Sequence, residues 1–332
     1  MRVGLMGLGR IGAFHATTLA ARVTELVLYD ADTGRAEQVA ARLGAGGGAR
    51  IRVGGPDDPL DSDAVVIATP TATHAPLLLE AIGAGVPAFC EKPVALDMKE
   101  TLEVLEAAKA AGALAHIGFQ RRFDAGYAAA RAALDGLGTL LRVHLVTADA
   151  VPPPAGYIPL SGGIFRDCHI HDFDILRWVT GREVESVYAT GANRGEPYFA
   201  DAGDVDNSAA VLTMRDGTLV TLQGSRYNGA GYDVRMEIAG TLSTWVVGLD
   251  DRVPLTSAEP GVTYPAGPVW PDFVSRFEAA YVAEMEAFLD AARGERESPC
   301  TIEDALAALT IAEAADLSLR RGEPVRMSEV AR

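Results

Sequence analysis

The motif Gly7-Leu8-Gly9-Arg10-Ile11-Gly12, and where it stands in the chain, constrains the fold before anything else does. An apolar, strand-like run Arg2–Met6 ends directly on Gly7, and a helical pattern from Ile11 to Ala21 starts inside the motif. A second strand, Glu25–Tyr29, ends at Asp30, 18 residues after Gly12. A strand, a glycine turn and a helix in this order open a dinucleotide-binding βαβ unit, and only there does G-x-G-x-x-G carry weight. Gly7 permits the tight turn, Gly9 lets a pyrophosphate approach the backbone, and Gly12 lets helix and strand pack closely. Arg10 and Ile11 begin the helix, whose free N–H groups and dipole favour an anion. Asp30 can accept hydrogen bonds from ribose hydroxyls and repels a 2′-phosphate, so NAD is expected over NADP. Arg35 is the nearby group that pulls the other way.

The alternation of strand and helix continues. Thr33–Leu43 is helical, Ala45-Gly46-Gly47-Gly48-Ala49 is a loop, and Ala64–Ala68 is a continuous apolar strand of the buried parallel kind. It ends in Thr69-Pro70-Thr71-Ala72-Thr73-His74, at a strand's carboxyl end, where ligands bind in open α/β sheets. Thr69, Pro70 and His74 are therefore cofactor-side candidates, although a histidine there also serves as a simple helix cap. Helix Ala75–Ala84, strand Ala88–Cys90, helix Lys99–Ala111 and strand Ala115–Gly118 complete a doubly wound parallel sheet. Glu91-Lys92-Pro93 follows the fifth strand, so Lys92 stands on the cofactor side and can share a proton with an alcohol.

Past residue 119 the rhythm changes to strands: Leu140–Ala148, Val184–Gly191, Asn207–Met214, Thr218–Ser225, Asp233–Gly240 and Leu242–Val247. Asp216-Gly217 between two of them is a hairpin signal. Phe273–Arg293 and Thr301–Arg320 are helical. The expected division is a Rossmann domain, residues 1–119, and an α+β domain, residues 120–332, with a large, mostly antiparallel open sheet. Such a sheet with one uncovered face usually finds a partner, so a homo-oligomer, a dimer or homotetramer, is expected.

Composition limits the function. The 332 residues carry a net charge of −16, which argues against nucleic acid or anionic membrane as a partner. No apolar run approaches the roughly 20 residues of a membrane span. Three widely separated cysteines and a start that runs straight into a strand point to a cytoplasmic protein.

The second chemistry-bearing stretch is Gly162-Gly163-Ile164-Phe165-Arg166-Asp167-Cys168-His169-Ile170-His171-Asp172-Phe173-Asp174, closed by Gly181. On one continuous helix, spacings of four and three put Asp167, His171 and Asp174 on one face. A carboxylate one turn from an imidazole is a workable acid/base pair. His169, His171, Asp172 and Asp174 are also metal-ligand types, but residues two apart on a helix point different ways, so no metal is expected. By the same argument His169 faces away from Asp167 and His171, and replacing it should cost far less than replacing His171.

Taken together, the glycine fingerprint, Glu91-Lys92-Pro93 and Gly162-Gly163-x3-Asp167-x3-His171-x2-Asp174 resemble the Gfo/Idh/MocA family of NAD(P)-dependent oxidoreductases over nearly the whole chain. The inositol 2-dehydrogenase branch is the nearest in character, through Arg121-Arg122-Phe123-Asp124 and Gly231-Tyr232-Asp233-Val234-Arg235-Met236-Glu237. The resemblance implies an NAD-dependent dehydrogenase acting on a secondary hydroxyl of a cyclic polyol or sugar. It implies Lys92, Asp167 and His171 as catalytic residues, Glu91 among the cofactor contacts, and Arg122, Asp174 and Tyr232 as substrate contacts. His171 would be the base, oriented by Asp167, and Lys92 would stabilise developing alkoxide charge. Other members act as NAD-dependent glycosidases or sugar-biosynthetic oxidoreductases, and a non-catalytic NAD sensor is a further alternative. The proline-rich stretch Val151–Leu160 offers few polar groups for a polyol.

Overall fold

The computed structural model describes residues 1–46, 48–263 and 267–330, so Gly47 of the predicted glycine loop lies outside the described residues. The chain forms two compact units, residues 1–120 with 281–306 and residues 121–280 with 307–332. It therefore passes between units three times, not once as a break at 119/120 implies.

In the first unit, strands β1 (Arg2–Met6), β2 (Glu25–Tyr29), β3 (Arg50–Val53), β4 (Ala64–Ile67), β5 (Ala88–Glu91) and β6 (Ala115–Gly118) alternate with helices α1 (Arg10–Ala20), α2 (Thr33–Gly44), α3 (His74–Ala84) and α4 (Met98–Ala111). All pairings are parallel, in the order β3-β2-β1-β4-β5-β6. The order reverses between β1 and β4, the switch point at which such sheets bind ligands. The expected elements are present, with β3 as an additional, half-exposed edge strand. Val3, Leu5, Val66 and Phe89 fill the core, joined by Met285, Phe288 and Leu289 from the returning segment. That segment is also tied by hydrogen bonds: Ile117 N–H donates to the Cys300 carbonyl at 3.1 Å, and His116 Nδ1 meets Ser298 Oγ at 3.1 Å.

The second unit holds α5 (Ala125–Ala132), β7 (Leu140–Ala148), α6 (Ile158–Ser161), α7 (Ile164–Asp167), α8 (Ile170–Thr180), β8 (Val184–Ala192) and α9 (Tyr198–Asp201). Strands β9 (Asn207–Met214), β10 (Leu219–Ser225), β11 (Asp233–Gly240) and β12 (Thr244–Val247) follow. Helices α10 (Phe273–Ala292) and α11 (Ile302–Arg321) each begin in one unit and end in the other, and β13 (Val325–Arg326) follows α11. The sheet order is β12-β11-β7-β10-β9-β8-β13, antiparallel apart from β7–β10. Strands β9 and β10 alternate buried and exposed residues, as a sheet covered on one face must. Tyr188, Val211 and Leu219 stand on the open side. No helix among the described residues is long and apolar enough to cross a membrane.

One ion cluster gives the second unit a pH signature. Arg166 bridges Glu313 and Asp316 of α11, its Nε 3.3 Å from Asp316 Oδ2. Burial raises the Asp316 carboxyl to about 7, with Glu313 adding to it and Arg166 opposing. A carboxyl raised in the folded state favours the protonated form. Its contribution is complete below the ordinary value of 3.8 and is lost as pH rises through about 7. Asp316→Asn should therefore raise the melting temperature at pH 8 by about 2 °C or more, and by less at pH 5. Thermal melts at both values check this, and an equal change at the two would refute it.

Candidate active site

The glycine loop is shaped by contact. A Cβ on Gly12 would stand 1.9 Å from the Gly7 carbonyl oxygen, and Gly7 itself has φ +87°. A Cβ on Gly9 would meet nothing within 4 Å. Gly9 and Arg10 are exposed, and α1 begins without a side-chain cap hydrogen bond. That is what a pyrophosphate requires, and these residues fit NAD.

Asp30 lies at the end of β2, only 8% exposed. Oδ2 accepts the Leu8 N–H at 2.7 Å and Oδ1 the Asp32 N–H at 2.9 Å, while Arg35 Nη1 is 3.2 Å from Oδ1. Burial acts to raise the carboxyl, but the two N–H groups and Arg35 outweigh it and hold it below its ordinary value. Asp30 thus fixes the glycine loop as well as offering a carboxylate. Arg35, half-exposed, is held by Asp30 and Asp32 instead of standing free for a phosphate.

Thr69 and Pro70 follow β4 as expected, at least partly accessible. His74, the third candidate of this turn, begins α3. It is 1% exposed, with Nδ1 2.7 Å from the Pro93 carbonyl and Nε2 2.8 Å from the Thr69 carbonyl, so both ring nitrogens brace the turns after β4 and β5. Lys92 is half-buried just past β5. Glu91, beside it, faces the fully buried His15 of α1, Nε2 to Oε1 2.7 Å. That contact joins α1 to the end of β5, next to Lys92.

The stretch from Gly162 to Gly181 is not one helix. Helix α7 ends at Asp167 and α8 begins at Ile170. His169 N–H reaches the carbonyl of Ile164, five residues back, at 3.1 Å, and His171 N–H that of Cys168 at 3.4 Å. The turn is locally widened, a π-type departure often found at functional sites. Asp167 and His171 therefore do not share the face of a single regular helix. His171 and Asp174 do lie on α8, with His171 half-buried. Asp167 takes partners outside its own helix: Tyr157 O–H donates to Oδ1 at 2.8 Å, and Arg226 Nη2 is 2.9 Å from Oδ2. Tyr157 and Arg226 escape sequence reasoning, because each lies on another element and carries no local motif. The stretch 151–160 is thus not without a polar group: Tyr157 carries one to Asp167.

Arg122 and Asp174 form a buried bidentate pair, Nε to Oδ2 2.8 Å. Tyr232 is 6% exposed, and burial pushes its hydroxyl well above the usual range. Arg121, which sequence reasoning used only as part of a motif, anchors a second buried network. It binds Asp172, whose Oδ2 meets His169 Nδ1 at 2.7 Å; His169 Nε2 meets Ser208 Oγ at 2.8 Å. Thr147 O–H also donates to Asp172, at 2.8 Å. His169 is fully buried, so it is no bland position: a Cβ on Gly224 of β10 would stand 2.2 Å from its Nε2.

A family model of the oxidoreductase family's NAD-binding Rossmann fold matches residues 1–119, and one of the GFO/IDH/MocA C-terminal domain matches residues 127–246. The scyllo-inositol 2-dehydrogenase (NAD+) of Bacillus subtilis is 35% identical over 98% of this chain and 96% of its own. The chain belongs to the Gfo/Idh/MocA family. As a member it is an NAD-dependent oxidoreductase, as the fingerprint and the parallel sheet lead one to expect. Among solved structures, a myo-inositol dehydrogenase of Corynebacterium glutamicum superposes with a TM-score of 0.87 at 32% identity, covering 98% of each chain. A scyllo-inositol dehydrogenase of Lactobacillus casei with bound NAD(H) and scyllo-inositol gives 0.87 at 27%, covering 99% of each.

Proposed function

We propose that the chain is an inositol 2-dehydrogenase, oxidising one secondary ring hydroxyl of an inositol to a ketone. The chain-long relation to proteins of that name, at a TM-score of 0.87 to one bound to NAD(H) and scyllo-inositol, carries the reading. NAD, when bound, accepts the hydride of the carbinol carbon. Gly7, Gly9, Arg10, Ile11 and Gly12 receive its pyrophosphate, Asp30 its ribose, and Thr69, Pro70, Glu91 and Lys92 line its approach.

His171 takes the hydroxyl proton, since a neutral imidazole is a base that works near neutral pH. Asp167 stabilises the imidazolium that results, and Lys92 donates a hydrogen bond to the same oxygen as alkoxide charge develops. Arg122, Asp174 and Tyr232 complete the substrate set, with the Arg122–Asp174 pair holding the start of α8 in place. Initial rates of NADH formation with myo-inositol, scyllo-inositol and a panel of aldoses test the reading. Inositols should be the best substrates, and a preference for an aldose, or no NADH with any of them, would overturn it.

Asp30→Ala should weaken NAD binding and narrow the gap between NAD and NADP. It removes the ribose acceptor and releases both Leu8 N–H and Arg35. Fluorescence titrations with NADH and NADPH measure both effects, and an unchanged ratio would refute them.

The protein works in the cytoplasm and as a homo-oligomer, a dimer or tetramer, joined through the open face of the seven-stranded sheet. The exposed Tyr188, Val211 and Leu219 on that face motivate the assembly. Light scattering at micromolar concentration should find a species at a multiple of the 34.9 kDa chain mass, and a monomer alone would exclude the assembly.

A further inference from the structure

Among the described residues, the largest fully buried side chain is a cation. Arg226 follows β10 and is 1% exposed. Its N–H donates to the Asp206 carbonyl at 2.8 Å, which fixes the backbone. Its guanidinium spans three groups: Nη2 lies 2.9 Å from Asp167 Oδ2, and Nη1 lies 3.4 Å from Asp149 Oδ2 and 2.7 Å from Cys168 Sγ. The second oxygen of Asp167 is held by the Tyr157 hydroxyl at 2.8 Å. Four separate parts of the second unit thus meet in one cluster: Arg226 at the end of β10 joins Asp149 after β7 to Asp167 at the end of α7, and Asp167 in turn holds Tyr157 of the loop before α6.

A buried guanidinium is tolerated only among anions, and a carboxylate beside an arginine stays ionised at lower pH than one standing alone. Asp167 and Asp149 are both largely buried, with side chains 12% and 23% exposed. Without the arginine between them, desolvation and mutual repulsion would raise both.

We propose that Arg226 is a positioning residue for the reaction, holding Asp167 ionised and, together with Tyr157, in one orientation, so that its charge serves His171. The inference rests on the reading of Asp167 and His171 as the acid/base pair. Arg226 gives up no proton. Its role is to keep a negative charge available when His171 becomes positive, and to keep the field of two carboxylates from being excessive. Burial and Asp167 together push the Tyr157 hydroxyl far up, so Tyr157 stays a neutral donor across the working range. Among the described residues, Arg226, Tyr157, Cys168 and Asp149 are the charged and titratable groups seen around Asp167, and His171 on α8 is the group its charge is proposed to serve. Buried Tyr232 feels Asp149 and Cys168, and Arg166 on α7 is turned to Glu313 and Asp316.

Removing Arg226 should move the acid limb of the kcat profile to higher pH by either route. A raised Asp167 must lose its proton before it can act, and an uncompensated carboxylate pair would raise His171. The test is kcat and KM against pH for wild type, Arg226→Gln, Arg226→Lys and Tyr157→Phe with myo-inositol and NAD, beside NADH titrations and thermal melts. Arg226→Gln should lose roughly tenfold or more in kcat and shift the limb upward by about one unit or more. NADH affinity should stay at the wild-type value. Arg226→Lys keeps the charge and should keep the limb, with an intermediate kcat. Tyr157→Phe should lower kcat with a smaller shift. If Arg226→Gln fails to fold, Arg226→Lys decides: a limb displaced as far as that of Tyr157→Phe or further would overturn the proposal. A folded Arg226→Gln with the wild-type limb would overturn it too, whatever its kcat, since a purely structural role moves amplitude alone. His171→Ala in the same panel separates the two layers. Full activity there sinks the underlying acid/base reading, whereas an inactive His171→Ala beside an unshifted Arg226→Gln sinks only the role of Arg226.

Discussion

Replacing His171 with alanine is expected to lower turnover by roughly 10²–10⁴-fold, the usual worth of a positioned acid/base group, while NADH affinity barely changes. The asymmetry follows from the proposed roles: the partner of His171 is the alcohol, and the proposed cofactor residues lie on the glycine loop and the ends of β2, β4 and β5. Lys92→Ala should fall at least as far, because it removes charge stabilisation that matters most in the transition state. The two losses should not add in the double variant, since both groups are proposed to act on one oxygen in one step. Steady-state kinetics with myo-inositol, paired with NADH titrations of each variant, check all three statements. Retained turnover in His171→Ala would remove the base from the mechanism, and full additivity would mean the two residues serve different steps.

What the sequence made legible has a common character. Glycines Gly7, Gly9 and Gly12, the acid at Asp30 and the strand runs are local signals, because turns, pleats and helix starts are decided within a few residues. The helix break at Cys168–His169 is not local. No glycine or proline interrupts the run, and both residues keep right-handed helical backbone angles. The break goes with side-chain pulls from elsewhere, Arg226 and Tyr157 on Asp167, Asp172 and Ser208 on His169. A spacing argument assumes a regular helix and so cannot anticipate them. The partners of His74 were hidden for a related reason: its place at a strand end is local, while the two carbonyls its ring meets come from turns five and nineteen residues away. The return of residues 281–306 to the first unit left no mark either. An amphipathic helix shows that it has an apolar face, not which core receives it.

Asp172→Ala is expected to cost about 3–5 kcal/mol of stability, the usual penalty for breaking a buried ion pair by removing one partner. Arg121 would be left almost wholly buried beside an empty volume, and His169 and Thr147 would each lose the same acceptor. Burial works to raise the Asp172 carboxyl, yet Arg121 and the bonds from His169 and Thr147 prevail and hold it below its ordinary value. A carboxyl depressed in the folded state adds stability above its unfolded value and loses it as pH falls through the folded one. The difference between wild type and Asp172→Ala should therefore be full at neutral pH and shrink only in acid below about pH 4. His169→Ala belongs with Asp172→Ala, not with the mild control that helical spacing suggested, because it strips hydrogen bonds from two buried partners, Asp172 and Ser208, and leaves a cavity against Gly224. Urea unfolding at pH 7 should rank Asp172→Ala below His169→Ala, and both well below wild type. Whatever fraction of either variant is folded should bind NADH with wild-type affinity, since neither residue belongs to the unit that carries the glycine loop. A His169→Ala protein of wild-type stability but no turnover would contradict this assignment and make His169 a participant in the chemistry.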